Sequence, residues 1–190
     1  MSSRGRRVLA IAGAVLAGVA IGLGLTRLDT FEDALREVTL PLRHDDIIRQ
    51  QAGEKDVPAD MIAALIYTES RFRDQTSEAG ARGLMQITPQ TAREIERLSG
   101  GSTFVLEDLS DPDLNIAYGT FYLRHLLDIY GDNEVAALAA YNAGPTRASQ
   151  WGGAALEIED IPDPAVRAYV EQVLDKQQEY RDEYAKDLGF

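Results

Sequence analysis

A chain of 190 residues, 45% hydrophobic and 26% charged, suits one compact domain with a short appendage and can bury a sizeable core. Its net charge of −12 is unevenly placed: residues 1–27 hold Arg4, Arg6, Arg7 and Arg27 and no acid, which leaves −16 on the rest. So acidic a body repels phosphodiester backbones, and nucleic acid is not expected as a partner; the absence of cysteine removes disulfides, thiolate zinc sites and a cysteine nucleophile.

Residues 1–7 form a basic tail, expected in the cytoplasm. Val8 to Leu25 (residues 8–25) is an unbroken apolar run near the lower length limit of a membrane-spanning helix. Its basic flank places everything after Arg27 on the far side of the membrane. A cleaved signal peptide is the competing reading, with Gly18-Val19-Ala20 as a small-residue cleavage site. The apolar character continues through Ile21, Leu23 and Leu25, which favours a retained single-pass anchor over secretion. Either way the body is exported. Residues 26–43 read as a juxtamembrane linker, helical around Phe31 to Arg36 and punctuated by Pro41.

Residues 44–190 form the exported domain, and nearly all of it reads as helix. Asp45 to Ala52 is a short helix closed by Gly53, and Pro58 opens the next, which runs to about Arg71. A loop of small and polar residues spans Asp74 to Arg82. Leu84 to Arg97 is helical with an interruption at Pro89, and Gly100-Gly101 ends it. Ser110-Asp111-Pro112-Asp113 starts a helix that carries Ile116, Tyr118, Phe121, Tyr122, Leu126 and Leu127 and stops at Gly131. Asp132 or Asn133 caps an apolar helix to Tyr141, terminated by Gly144-Pro145. Val166, Tyr169, Val170, Val173 and Leu174 mark the core face of a long last helix. The stretch Gln177 to Phe190, with Tyr180 and Tyr184 at helical spacing, reads as a solvated helix end. With no strand alternation and no internal repeat, the fold class is all-α or mostly α. His44 and His125 lie far apart and in no HExxH spacing, so each reads as an ordinary surface or helix-face histidine; neither a metal nor a cofactor is expected.

One residue breaks the apolar pattern. Ile62, Leu65 and Ile66 form an i, i+3, i+4 stripe whose i+7 position is Glu69. Charged side chains are seldom buried unpaired. Desolvation raises a carboxyl's pKa, and a carboxylic acid protonated near neutrality can act as a general acid on a glycosidic oxygen. An ion pair with Arg71, Arg82 or another base is an equal reading from the helix alone.

The surrounding motifs tip the balance. Glu69-Ser70-x-Phe72 is followed by Ser77-x-x-Gly80-Ala81-x-Gly83-Leu84-Met85-Gln86-x-x-Pro89-x-Thr91-Ala92. Asn115-Ile116-x-x-Gly119-x-x-Tyr122-Leu123 and Ala139-Ala140-Tyr141-Asn142-Ala143-Gly144-Pro145 come next. In order and spacing these blocks resemble the catalytic domain of the soluble lytic transglycosylase family, relatives of goose-type lysozyme, over Asp45 to Leu174. The resemblance implies a lysozyme-like α fold with a groove for peptidoglycan strands of N-acetylmuramic acid and N-acetylglucosamine. It implies that Glu69 is the single catalytic carboxylate, first acid and then base, leaving 1,6-anhydro ends. Ser77 matches a groove serine that hydrogen-bonds substrate, and Gln86 a glutamine on the groove floor. Tyr141 matches a tyrosine whose hydroxyl points toward the acid, and Asn142 follows it in the substrate-binding block. Ser70, Met85 and Glu159 are supporting positions. The bare sequence, by contrast, favours Tyr141 as a core aromatic with one satisfied hydroxyl.

Glu159-x-Ile161-Pro162 and Arg167-x-Tyr169-Val170 fit the family's tail, with Ala165 and Val166 in place of Glu and Thr, and Asp163 in place of an aromatic. Thr88 stands where some members have Met. These departures are expected at the groove edge, away from the acid. Two other functions compete: a muramidase that hydrolyses the same bond, and a catalytically idle glycan-binding wall protein. The intact Glu69, Ser77, Gln86 and Tyr141 argue against the idle protein.

Overall fold

The computed structural model describes residues 34–100 and 106–190, and the chain divides between Pro41 and Leu42. In the first unit residues 34–39 are helical (α1), with Thr39 Oγ1 donating to the Leu35 carbonyl. The apolar run of residues 8–25 lies outside the described residues. Among those described, no helix is long and apolar enough to cross a membrane.

The second unit is helical. Its elements are α2 (Asp45–Lys55), α3 (Ala59–Ser70), α4 (Pro89–Ser99), α5 (Pro112–Ile129), α6 (Glu134–Ala143), α7 (Pro145–Trp151), α8 (Pro164–Glu183) and α9 (Ala185–Leu188). Short 3₁₀ turns cover Leu106–Ser110, Gly153–Ala155 and Ile158–Asp160. Two isolated antiparallel bridges, Thr76 with Arg82 and Arg82 with Ile87, are the only extended pairing among the described residues.

Local chemistry sets most boundaries. Asp111 accepts from the Asp113 and Leu114 amides at the start of α5, and Asn133 rather than Asp132 caps α6 through the Ala136 amide. Pro89 does not interrupt a helix; it begins one. Thr88 is the cap there, accepting from the Thr91 amide, and Leu84 to Ile87 belong to the preceding loop. Gly53 likewise does not close α2. A single interior glycine costs a helix only about 1 kcal/mol, and α2 continues to Lys55, where Asp56 turns left-handed at φ 53°.

The centre of the domain is α3. Every residue from Ala59 to Tyr67 is buried, as expected of a helix apolar on all sides. It packs most extensively on α8, while α6 packs on both α5 and α8. The end of α8 differs from its sequence reading as a solvated tip: Tyr180 is fully buried, its ring 6.3 Å from Tyr67 and 6.2 Å from Phe72. Gln177 is buried as well. Gln178 and Glu179 between them turn outward, so a polar composition conceals a buried stripe that continues to Tyr180.

A buried carboxylate with a basic partner does occur on α3, but at its first turn, and the partner is half exposed. Asp60, wholly buried, accepts from Arg181 Nε at 2.6 Å and from its neighbour's amide, Met61 N, at 2.7 Å. It fastens the start of α3 to the end of α8.

Candidate active site

Glu69 lies at the other end of α3. The helix stops there because Arg71 and Phe72 both take left-handed conformations, at φ 53° and 58°. Such backbone is held only where surrounding structure over-determines it; here Phe72, 3% exposed, is anchored in the core. The chain therefore leaves Glu69 at a helix end and turns sharply into the loop that faces it.

That loop is folded on itself and on α5. Ser77 and Ala81 exchange hydrogen bonds, Ser77 N to Ala81 O at 2.9 Å and Ala81 N to Ser77 Oγ at 3.0 Å. Arg82 and Ile87 exchange both backbone bonds at 3.0 Å. Beneath them Asn115, fully buried, gives Nδ2 to the Arg82 and Leu109 carbonyls and takes the Met85 amide on Oδ1. Gly83 is required at this crossing, because its φ is +75° and a Cβ would strike the Asn115 side chain and the Leu109 carbonyl.

A cleft of about 260 Å³ opens between this loop and the helices. Glu69, Ser77, Gln86, Tyr141 and Asn142 all line it, so the five residues assigned by sequence to catalysis and substrate binding meet on one surface. Thr88, Thr91 and Tyr122 complete its polar wall. A larger hollow of about 590 Å³ lies at the start of α3, around Arg49 and Arg124. Both arginines there are already engaged, Arg49 by Asp45 and Arg124 by Asp128 and Asp132. Size alone does not locate the chemistry.

Among the described residues no basic side chain pairs with Glu69. Its partner is Tyr169 of α8, whose hydroxyl donates to Oε1 at 2.6 Å. Burial pushes the Glu69 carboxyl up to about 7, and the Tyr169 hydrogen bond acts in the opposite direction without overcoming it. The phenols of Tyr169 and Tyr141 are both held well above their ordinary range, first by burial and then by the nearby Glu69 charge. Both remain neutral.

Tyr141 does not point its hydroxyl at the acid. It donates to the Met85 carbonyl at 2.9 Å, the satisfied-hydroxyl arrangement favoured by the bare sequence, while its ring lines the cleft. The reason is the loop: Met85 turns its carbonyl toward α6, and a buried phenol takes the nearest acceptor. Gln86, at φ 49°, folds its amide back to the Gly83 and Gln75 carbonyls. Met85 itself is buried, and Ser70 Oγ bonds the Ile66 carbonyl within α3, so both brace rather than line the cleft. Glu159 is exposed away from the cleft and offers only its backbone carbonyl, to Arg167. It stands on a 3₁₀ turn, outside the residues that line the cleft.

Tyr169 is the functional residue that sequence reasoning missed. It sits on the apolar stripe of α8 and reads as core. The departures of the tail block fall at Asp163, Ala165 and Val166, while its matching Tyr169 reaches Glu69. Its one available signal was the match of Arg167-x-Tyr169-Val170 to the family tail.

The fold and site define a helical domain that holds one carboxyl, raised by burial to about 7, in a polar cleft. The chain belongs to the transglycosylase SLT domain family, whose family model matches residues 46–161. It is 34% identical over 154 residues to the soluble lytic murein transglycosylase of Escherichia coli (strain K12), covering 76% of this chain and 24% of that protein. It is 36% identical over 112 residues to membrane-bound lytic murein transglycosylase C of Histophilus somni (strain 2336), covering 54% of this chain and 31% of the relative. Among solved structures, an inactive mutant of the lytic transglycosylase Slt from Pseudomonas aeruginosa superimposes with a TM-score of 0.73 at 33% identity, over 79% of this chain and 26% of that one. The 70 kDa soluble lytic transglycosylase of Escherichia coli gives 0.72 at 34% identity, over 77% and 25%. The chain thus spans about a quarter of the length of the soluble relatives.

Proposed function

We propose that this chain is an exported peptidoglycan lytic transglycosylase that cleaves the β-1,4 bond between N-acetylmuramic acid and N-acetylglucosamine without water, with Glu69 as its single acid and base. The observation that carries the reading is the environment of Glu69: a carboxyl with no basic partner on an apolar helix, raised to about 7 and lining a polar cleft. The murein transglycosylases to which the chain is similar supply the substrate class.

In this mechanism the Glu69 carboxylic acid gives its proton to the bridging oxygen as the bond from that oxygen to muramic C1 breaks. The glucosamine end leaves as an alcohol. Positive charge develops at C1, and the Glu69 carboxylate, still held by the Tyr169 hydroxyl, stabilises it at short range. The carboxylate then takes the proton from the muramic 6-hydroxyl as that oxygen bonds to C1, closing a 1,6-anhydro ring. Glu69 ends protonated, so the cycle is balanced with one carboxyl. The two-carboxylate arrangement of most glycosidases is not needed. Residues 8–25 would hold the domain at the outer face of the membrane, consistent with relatives named as soluble and as membrane-bound.

Mass spectrometry of fragments released from purified sacculi tests the reading. Anhydro ends are expected; ends heavier by one water would identify a muramidase on the same bond. No release by the full-length protein would leave only a glycan-binding role.

A further inference from the structure

Tyr122, on α5, is only 5% exposed, yet it lines the same cleft as Glu69. Its neighbours are rings: Tyr141 at 5.8 Å and His125 at 6.3 Å between centroids. The other two tyrosines near the acid have committed their hydroxyls, Tyr141 to the Met85 carbonyl and Tyr169 to Glu69. Among the described residues nothing hydrogen-bonds the Tyr122 hydroxyl, and its oxygen is not among the sealed, unpartnered oxygens, which are Thr68 Oγ1 and Thr120 Oγ1. Buried phenols ordinarily find a partner. This one is neither hydrogen-bonded nor sealed, and it belongs to a residue that lines the cleft, so a molecule bound there can supply the partner.

We propose that Tyr122 is a substrate-contacting residue whose hydroxyl donates a hydrogen bond to the carbonyl oxygen of a sugar 2-acetamido group. The inference rests on the glycan-cleaving reading above and adds a residue to it.

Three features select that group. Burial holds the Tyr122 phenol up at about 12, so it stays a neutral donor across the physiological range and suits a neutral acceptor. The rings of Tyr122 and Tyr141 pack together at 5.8 Å, and both residues line the cleft, which gives it an apolar surface. An acetamido group combines an acceptor oxygen with a methyl that such a surface covers. A sugar hydroxyl lacks the methyl and is served equally well by Thr88 and Thr91, which share a 2.9 Å hydrogen bond on the same wall.

The test uses full-length protein and two probes, an oligomer of N-acetylglucosamine and the same oligomer with its acetyl groups removed. Calorimetry compares Glu69→Gln with Glu69→Gln/Tyr122→Phe. Phenylalanine keeps the ring packed on Tyr141, so an unchanged Tm is expected. The acetylated oligomer should bind the double variant roughly five- to tenfold more weakly, the size of one neutral hydrogen bond, and the de-acetylated oligomer should not distinguish the two. Equal affinity for the acetylated oligomer, or the same loss with both probes, overturns the inference. If wild-type protein releases fragments from sacculi and Tyr122→Phe does so with unchanged kcat and KM, this inference fails and the enzyme reading stands. If wild-type protein releases nothing while the acetyl-dependent loss of binding is seen, the enzyme reading falls and this contact stands as one of glycan binding.

Discussion

The hydroxyl of Tyr169 meets Oε1 of Glu69 at 2.6 Å, a contact made across 100 residues of sequence. Two opposed effects act on the same carboxyl. Loss of hydration at the end of α3 favours the protonated form, and the hydrogen bond from α8 favours the ionised one. Burial wins, and the group titrates at about 7. Because the first step needs the acid, kcat/KM on glycan strands should fall as pH rises through about 7. A profile that stays level or climbs to pH 9 would contradict the assignment of Glu69 as proton donor.

The same contact makes a directional prediction for Tyr169→Phe. Removing a donor that stabilises the carboxylate raises the pKa of Glu69 further, so the alkaline limb should move to higher pH. The expected displacement is up to about one unit, the size of one good hydrogen bond. The rate at the optimum should drop roughly tenfold, because the carboxylate is also less well oriented and less stabilised in the transition state. A merely structural tyrosine would lower the rate without moving the limb, and a shift to lower pH would refute the role.

Glu69→Gln separates chemistry from stability. Turnover should fall by about 10²–10⁴-fold while glycan binding persists, since the amide keeps the shape but has no acidic proton. Stability should move the other way. The ordinary carboxyl value is 4.5 and the folded value about 7. Between the two, the folded chain holds a proton that the unfolded chain has released, so stability declines as pH rises through this window. The total is up to ~3 kcal/mol. Glutamine escapes that loss, so the variant should be more stable than wild type by up to this amount at pH 8 and indistinguishable from it at pH 4. Urea unfolding at both pH values reads the difference; a variant less stable than wild type at pH 8 would show Glu69 to be favourably paired.

What was legible in the sequence follows the range of the interactions. Asp111 before Pro112 and Asn133 before α6 announce helix starts, because a cap bonds within three residues of itself. Glu69 was legible because an acid at i+7 of an apolar stripe conflicts with its surroundings, and the motif blocks resolved the conflict. Tyr169, Tyr180 and Asp60 were not. Each owes its role to a residue 100 or more positions away, and nothing local distinguishes a core tyrosine from one that touches Glu69. The direction of the Tyr141 hydroxyl depended likewise on where a loop carbonyl came to rest.

Asn115 shows how a remote residue can control the site without touching it. Its amide holds the Arg82 and Leu109 carbonyls at 3.0 and 2.9 Å and its oxygen holds the Met85 amide at 2.8 Å. Through Met85 this knot fixes the acceptor of Tyr141, and through Arg82 to Met85 it fixes the backbone that presents Gln86 to the cleft. Asn115→Ala strands the Met85 amide and the Leu109 carbonyl, while the Arg82 carbonyl keeps the Ile87 amide, at about 1–3 kcal/mol for each stranded group before relaxation or water entry. A net loss of ~2–4 kcal/mol is expected, with Tm lower by roughly 5–15 °C. Asn115→Asp keeps the size and the Met85 contact but turns a carboxylate oxygen toward two carbonyls, so it should be no milder. In both variants kcat should fall, since Gln86 and the Tyr141 ring lose their fixed positions. Wild-type unfolding midpoints together with wild-type kcat in Asn115→Ala would show that the loop holds its shape without the knot.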